Sequence, residues 1–241
     1  MSIKETIIEL KERFYDKVTE FDFCKKCTML VMLFYFPLLI IGVIVAYLGP
    51  ENFIPLLPDY IFSHGSIRWD RYSIATHWIS DLGSIRYTPA PYLYDLAAII
   101  AGALTLPLSF YLENRFAPLD SSRMRIRLGS LAWFWSVIGN IGYIGVGIFS
   151  EDRSYFGLHG ITSGMAFGGF TFGAMFFGLI IILYNDTEIP KPLGIYGIVG
   201  PLGTIIIFGI VGGPFWEWML LFSIIAWIIP LGLIIIHKGG N

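Results

Sequence analysis

The sequence predicts an all-α integral membrane protein, a six-transmembrane-helix bundle preceded by an amphipathic N-terminal helix. Three observations carry this prediction. The 241 residues are 55% hydrophobic and only 14% charged, with a mean hydropathy of +0.68. Six runs come close to the roughly 20 apolar residues that take a helix across a bilayer core, at 28–48, 92–112, 128–149, 158–184, 193–211 and 215–237. These runs are too long and too continuously apolar for β-barrel strands, which need about ten residues of alternating polarity. The expected organisation is a cytoplasmic amphipathic helix at 1–27 and a six-helix membrane domain at 28–241, with a long outer loop at 49–91.

The N-terminal helix is read from Ile3, Ile7, Leu10, Phe14, Val18 and Phe21, which recur every three or four positions, and from the capping-box spacing of Ser2 and Glu5. Its acidic residues, Glu5, Glu9, Glu12, Asp16 and Glu20, nearly balance its basic ones. Strong attraction to anionic lipid is therefore not implied, and the helix suits the inner membrane surface, the underside of the bundle or a second subunit. "CKKC", Cys24 to Cys27, contains the only two cysteines. Two thiols are too few for a structural zinc site, and a cytoplasmic pair stays reduced. Juxtamembrane thiols can carry acyl chains, but the plain reading is unmodified boundary cysteines.

The first apolar run follows a charged segment and exceeds a signal-peptide core in length, so it is read as a retained span. Pro37, Pro107, Pro201 and Pro230 lie in or near spans, where each removes a backbone donor and can kink its helix. Between the second and third spans, Arg115, Arg123, Arg125 and Arg127 form a cluster that matches both the positive-inside bias and phospholipid headgroups. The third span carries Gly139, Gly142 and Gly145, and the fourth carries Gly160, Gly164 and Gly168, then Gly169 and Gly173. Small residues on a stripe let helices approach closely. The two spans are expected to touch each other or shared neighbours, and these faces offer a route to a homo-oligomer.

Of the 16 Lys and Arg residues, all but Arg68, Arg71, Arg86 and Arg153 fall on the side shared by both termini. The positive-inside bias then places both termini in the cytoplasm. Two polar stretches, "HWISDLG" at 77–83 and "SEDRSYFGLH" at 150–159, face the outside together. Charged groups at a membrane are expensive and call for a function. Asp81, Asp152 and His159 are the candidate catalytic residues, and His77, Ser80, Arg86, Asp95, Glu151 and Glu217 are candidate ligand-binding residues.

If "HWISD" is helical, His77 and Asp81 share a face. With Asp152 and His159 they form a carboxylate–imidazole set suited to zinc or another divalent metal, which would lower the pKa of a bound water. The same groups can instead form a structural network in which Arg86 or Arg153 neutralises the acids. Ser80 and Ser150 lie beside the acids, but neither sits in a nucleophile-elbow pattern.

"ISDLG", "YDLAAIIAG" and "GIFSEDRSYFGLHGITSG" resemble the six-helix membrane family called domain of unknown function 998, and through it the wider FRAG/DRAM/SFK group, which includes lipid-remodelling and autophagy-modulating membrane proteins. The resemblance spans roughly 28–237 and places the motif positions at Ser80, Asp81, Gly83, Asp95, Asp152 and His159. This chain departs from the pattern in its extended first loop and in Ser150-Glu151, where a proline is often expected. The family implies the fold and supplies no settled activity.

The leading functional expectation is lipid-headgroup binding or lipid handling at the outer Asp/His site, with membrane lipids as partners. An enzyme built on it would be a lipid-directed hydrolase or transferase. A non-catalytic membrane scaffold or regulator is the second expectation and a cation transporter the third. No charged residue lies deep in any span, which argues against a proton relay. The net charge of -2 gives no argument for nucleic acid.

Overall fold

The computed structural model describes residues 3–49 and 71–238. Most of the long loop, 50–70 with His64 and Arg68, lies outside the described residues, as does Ser2 of the expected capping box. Among the described residues there are seven α-helices and no strand: α1 Ile3–Thr19, α2 Phe21–Leu48, α3 Tyr92–Phe116, α4 Arg123–Ile148, α5 Leu158–Leu183, α6 Lys191–Val211 and α7 Pro214–Lys238. The six from α2 to α7 are long and apolar enough to cross a membrane, so the chain is a multi-pass membrane protein.

The N-terminal helix and the first span divide at Glu20, earlier than the apolar pattern implies. Glu20 takes an extended ψ of 127°, Thr19 Oγ1 donates back to Tyr15 O at 2.8 Å, and Lys17 pairs with Glu20. "CKKC" therefore lies inside α2, with both thiols free and buried. Phe14 and Tyr15 set their rings edge-on to Phe110. Aromatic pairs of this geometry hold α1 along α3.

From α2 to α7 each helix packs on the next in sequence. The tightest contact joins α4 and α5, and it explains the glycines. A Cβ on Gly142 would stand 2.5 Å from Ala166 N, one on Gly145 would stand 2.5 Å from the Thr162 methyl, and one on Gly169 would overlap the Gly139 backbone. Gly160, Gly164 and Gly168 have the expected spacing, yet a Cβ on any of them meets nothing within 4 Å. The packing face of α5 thus runs through Thr162, Ala166, Gly169 and Gly173, and the more regular glycine stripe looks away from α4.

The first and last spans, α2 and α7, barely meet. At the arginine-rich end of the bundle a Cβ on Gly232 would lie 3.2 Å from the Thr28 methyl. Toward the opposite end, residues 72–82 of the loop fill the gap. Tyr72, Ile79 and Leu82 join one buried cluster with Tyr35 and Leu39 of α2 and Trp218 and Leu221 of α7. We call this the cap end.

Gly169→Val should separate α4 from α5 and cost roughly 1–3 kcal/mol, as overpacking does. Gly164→Val, which meets open space, should change stability by no more than about 0.5 kcal/mol. Reversible unfolding in micelles distinguishes them, and equal losses would refute the assigned packing face.

Candidate functional site

The cap is a non-helical chain segment folded down between helices, so its backbone groups need partners other than a helix ladder. Side chains supply them. Trp78 N–H donates to Asp81 Oδ2 at 2.8 Å, and Ile79 N–H donates to Glu217 Oε2 of α7 at 2.7 Å. Trp218 Nε1–H donates to His77 O at 3.2 Å, and Tyr72 O–H to Trp78 O at 2.8 Å. Residues 77–79 are a bend leading into a 3-10 turn, Ser80–Gly83. His77 and Asp81 are therefore not on one helical face.

A second strut joins the cap to the α4–α5 connection. Asp152 accepts from Ser84 Oγ and from Ile85 N–H, both at 2.7 Å. The Arg153 guanidinium donates to Asp95 Oδ2 at 2.5 Å and Arg153 Nε to Ser150 Oγ at 3.1 Å. Arg153 is thus the arginine that neutralises an acid here, while Arg86 is exposed and contributes its backbone N–H to Ser84 Oγ. Gly83 sits where this frame is narrowest: a Cβ there would lie 2.9 Å from Asp95 Oδ1 and 3.4 Å from Ser150 Cβ.

Three of the expected carboxyls, Asp81, Glu151 and Glu217, lie within electrostatic reach of one another. Glu151 hydrogen-bonds Asp81, and both interact electrostatically with Glu217. Two carboxyl groups in such contact hold a proton between them. Burial, then the Asp81 charge and this hydrogen bond, push the Glu151 carboxyl from 4.5 up to about 7, against a smaller opposing effect of His159. Burial also pushes the Tyr72 hydroxyl up.

Both histidines are tied to backbone groups through Nδ1. His77 Nδ1 accepts from Ser73 N–H at 3.1 Å, and its ring stacks on Tyr72. His159 Nδ1 is bonded to Phe149 O at 2.8 Å, which requires that nitrogen to be the protonated one. His77, Asp81, Asp152 and His159 are not gathered into one metal-binding group. Among the described residues no three His, Cys, Asp or Glu side chains converge to hold a metal ion.

Beneath the cap lies a partly open cavity lined by α2, α3, α4, α5 and α7. Ser80 and Glu217 are at its cap end, and the remaining lining is mostly aliphatic and aromatic. The hydroxyls of Tyr35 and Tyr143 hydrogen-bond each other at 2.8 Å beside it. A smaller space shares Thr105, Leu108, Phe170, Ile224 and Ile228 with it and reaches Asn140. Asn140 is buried and bonded to Thr105, Ser109 and Ser136.

Sequence reasoning missed Tyr72, Ser84, Trp218 and the tyrosines of the cavity. Trp218 carries a usable signal in its place beside Glu217 at the start of a span. Ser84 adjoins "ISDLG" but has no local pattern that pairs it with a residue 68 positions away.

A family model described as "Protein of unknown function (DUF998)" matches residues 56–234. No curated protein and no solved structure matches the chain.

The Glu151 carboxyl gives a pH signature. Its folded value lies above its ordinary one, so the folded state binds more protons between 4.5 and about 7. This contribution to stability is complete below pH 4.5 and is lost as pH rises through about 7. Glu151→Gln should flatten that part of the melting-temperature profile and melt higher than wild type at alkaline pH. Parallel profiles for the two proteins would rule out the shared proton.

Proposed function

The chain belongs to the DUF998 family of proteins of unknown function, and from that premise we propose that it binds a single lipid-like amphiphile, with the tail in the cavity and the headgroup under the cap. The observation that carries this reading is the cavity itself. It is concave and mostly apolar in its lining, with a few polar groups at one end, which is the character of small-molecule sites. Its polarity is graded: Glu217 and Ser80 lie at the cap end, and Ile224, Ile225, Ile228 and Ile229 continue down α7.

Each methylene taken from water into such a space contributes roughly 0.8 kcal/mol, but a tail arriving from the bilayer gains little. Selectivity must then come from the headgroup and from shape. The seam where α2 and α7 stand apart is the proposed lateral entrance. By the distribution of Lys and Arg, the cap end faces outward and both termini face the cytoplasm.

In this reading Asp81, Asp152 and His159 are the frame of the cap and not reacting groups. Each makes a bond that holds the cap or its neighbouring turn in place. Binding is favoured over hydrolysis because the cavity is shaped for a ligand and, among the described residues, no histidine lines it beside its hydroxyls.

Ala166, buried on the cavity wall, provides the test. Native mass spectrometry of wild type extracted in a mild non-ionic detergent should show one retained amphiphile per chain. Ala166→Phe should lower that occupancy by about tenfold or more, equivalent to about 1.4 kcal/mol. Ala103→Phe, on the exposed face of α3, should leave it unchanged. Equal occupancy in all three would refute the proposal.

A further inference from the structure

We propose that the ligand of this cavity is a single-chain amphiphile with a protonated amine headgroup, selected by Glu217 and by the aromatic rings around it. The inference rests on the lipid-binding reading above and names the chemistry of the headgroup.

The first argument is charge. Glu217 is 8% exposed and lines the cavity, with one carboxylate oxygen on the Ile79 N–H. Asp81 and Glu151 act on it electrostatically. Among the described residues no Lys, Arg or His lines the cavity, and Arg153 of the α4–α5 connection is engaged by Asp95. A phosphate or carboxylate headgroup would meet like charge with no cation in the lining to offset it. An ammonium would meet opposite charge in a site shielded from water, where such contacts are strong.

The second argument is the wall. Tyr35, Phe36, Tyr94, Tyr143, Phe167 and Phe170 contribute aromatic rings. The faces of such rings carry negative potential and attract organic cations, and an aromatic enclosure with a carboxylate is a recurring solution for ammonium groups. Ser80 adds a hydroxyl that can accept from a second N–H.

The third argument is length. From Glu217 to Ile229 the lining follows α7 for twelve residues, and at 1.5 Å per residue this is a path of about 18 Å. That is a slot for one straight tail reaching down from the headgroup.

The test uses three probes with one tail and different heads: tetradecylamine, tetradecanol and tetradecanoate. Each is titrated at neutral pH into the full chain in micelles of a neutral sugar detergent, and binding is read by native mass spectrometry against mole fraction in the micelle. The amine should bind at least tenfold tighter than the alcohol, and the carboxylate weakest. Glu217→Gln keeps a carbonyl for the Ile79 N–H, and it should lower amine affinity at least tenfold while leaving the alcohol unchanged. Ala166→Phe should weaken all three.

Equal binding of the three heads, lost together in Ala166→Phe, would overturn the amine selection and leave the lipid-binding reading standing. A preference for the carboxylate, or an amine affinity indifferent to Glu217→Gln, would overturn the selection in the same way. Binding of none, or binding untouched by Ala166→Phe, would overturn both. The ranking on the wild-type chain decides alone if Glu217→Gln does not fold. Amine-reactive labelling of any ligand retained from native membranes separates the two supporting sources: labelled ligand identifies a membrane lipid, and amine binding only on addition identifies an external amphiphile.

Discussion

A non-helical segment set between membrane-crossing helices must place its peptide N–H and C=O groups on partners, because hydrocarbon supplies none. The rest of this structure depends on how the cap meets that requirement. Its partners are side chains: Asp81 for Trp78 N–H, Glu217 for Ile79 N–H, Trp218 for His77 O, Tyr72 for Trp78 O and Asp152 for Ile85 N–H. The acids concentrated at this end of the bundle are therefore first of all acceptors for a backbone that has left regular structure. Their charge is tolerated because each negative oxygen that accepts an N–H is partly compensated.

The same requirement produces the cavity. Since a loop, and not a helix-to-helix contact, closes the ring between α2 and α7, the two helices approach closely only at the far end, near Thr28 and Gly232. The space between them has Glu217 and Ser80 at its roof and aromatic and aliphatic walls. On the opposite side of the bundle, glycines bring α4 and α5 together until backbones touch. Packing is therefore tight between α4 and α5 and open at the seam.

The six spans were legible because membrane helix formation is a local sum over about 20 side chains. What depends on direction was not. Gly160, Gly164 and Gly168 have better spacing than the residues that actually meet α4, and spacing shows that a face is small without saying what it faces. The break at Glu20 was hidden because apolar residues continue at helical intervals on both sides of it. In the site, Asp81, Glu151 and Glu217 were recognisable as acids at one end of the bundle, and they act on one another electrostatically. The expected partnership of His77 with Asp81 assumed a helix, whereas Asp81 turns back onto Trp78 N–H. The bond from Ile79 to Glu217 joins residues 138 positions apart, and no local pattern announces such a pair.

The seam lies between the first and last spans, which has a consequence for biosynthesis. A chain inserted from its N-terminus has α2 and the cap in place long before α7 is made. Until α7 arrives, Ile79 N–H and His77 O lack the acceptor and donor that the finished protein gives them. The half-built bundle is an open trough of helices with its polar loop uncovered, and entry of the last span both seals the trough and satisfies the loop. Assembly of this protein therefore has a defined final step, at which whatever lies in the trough is either expelled or enclosed.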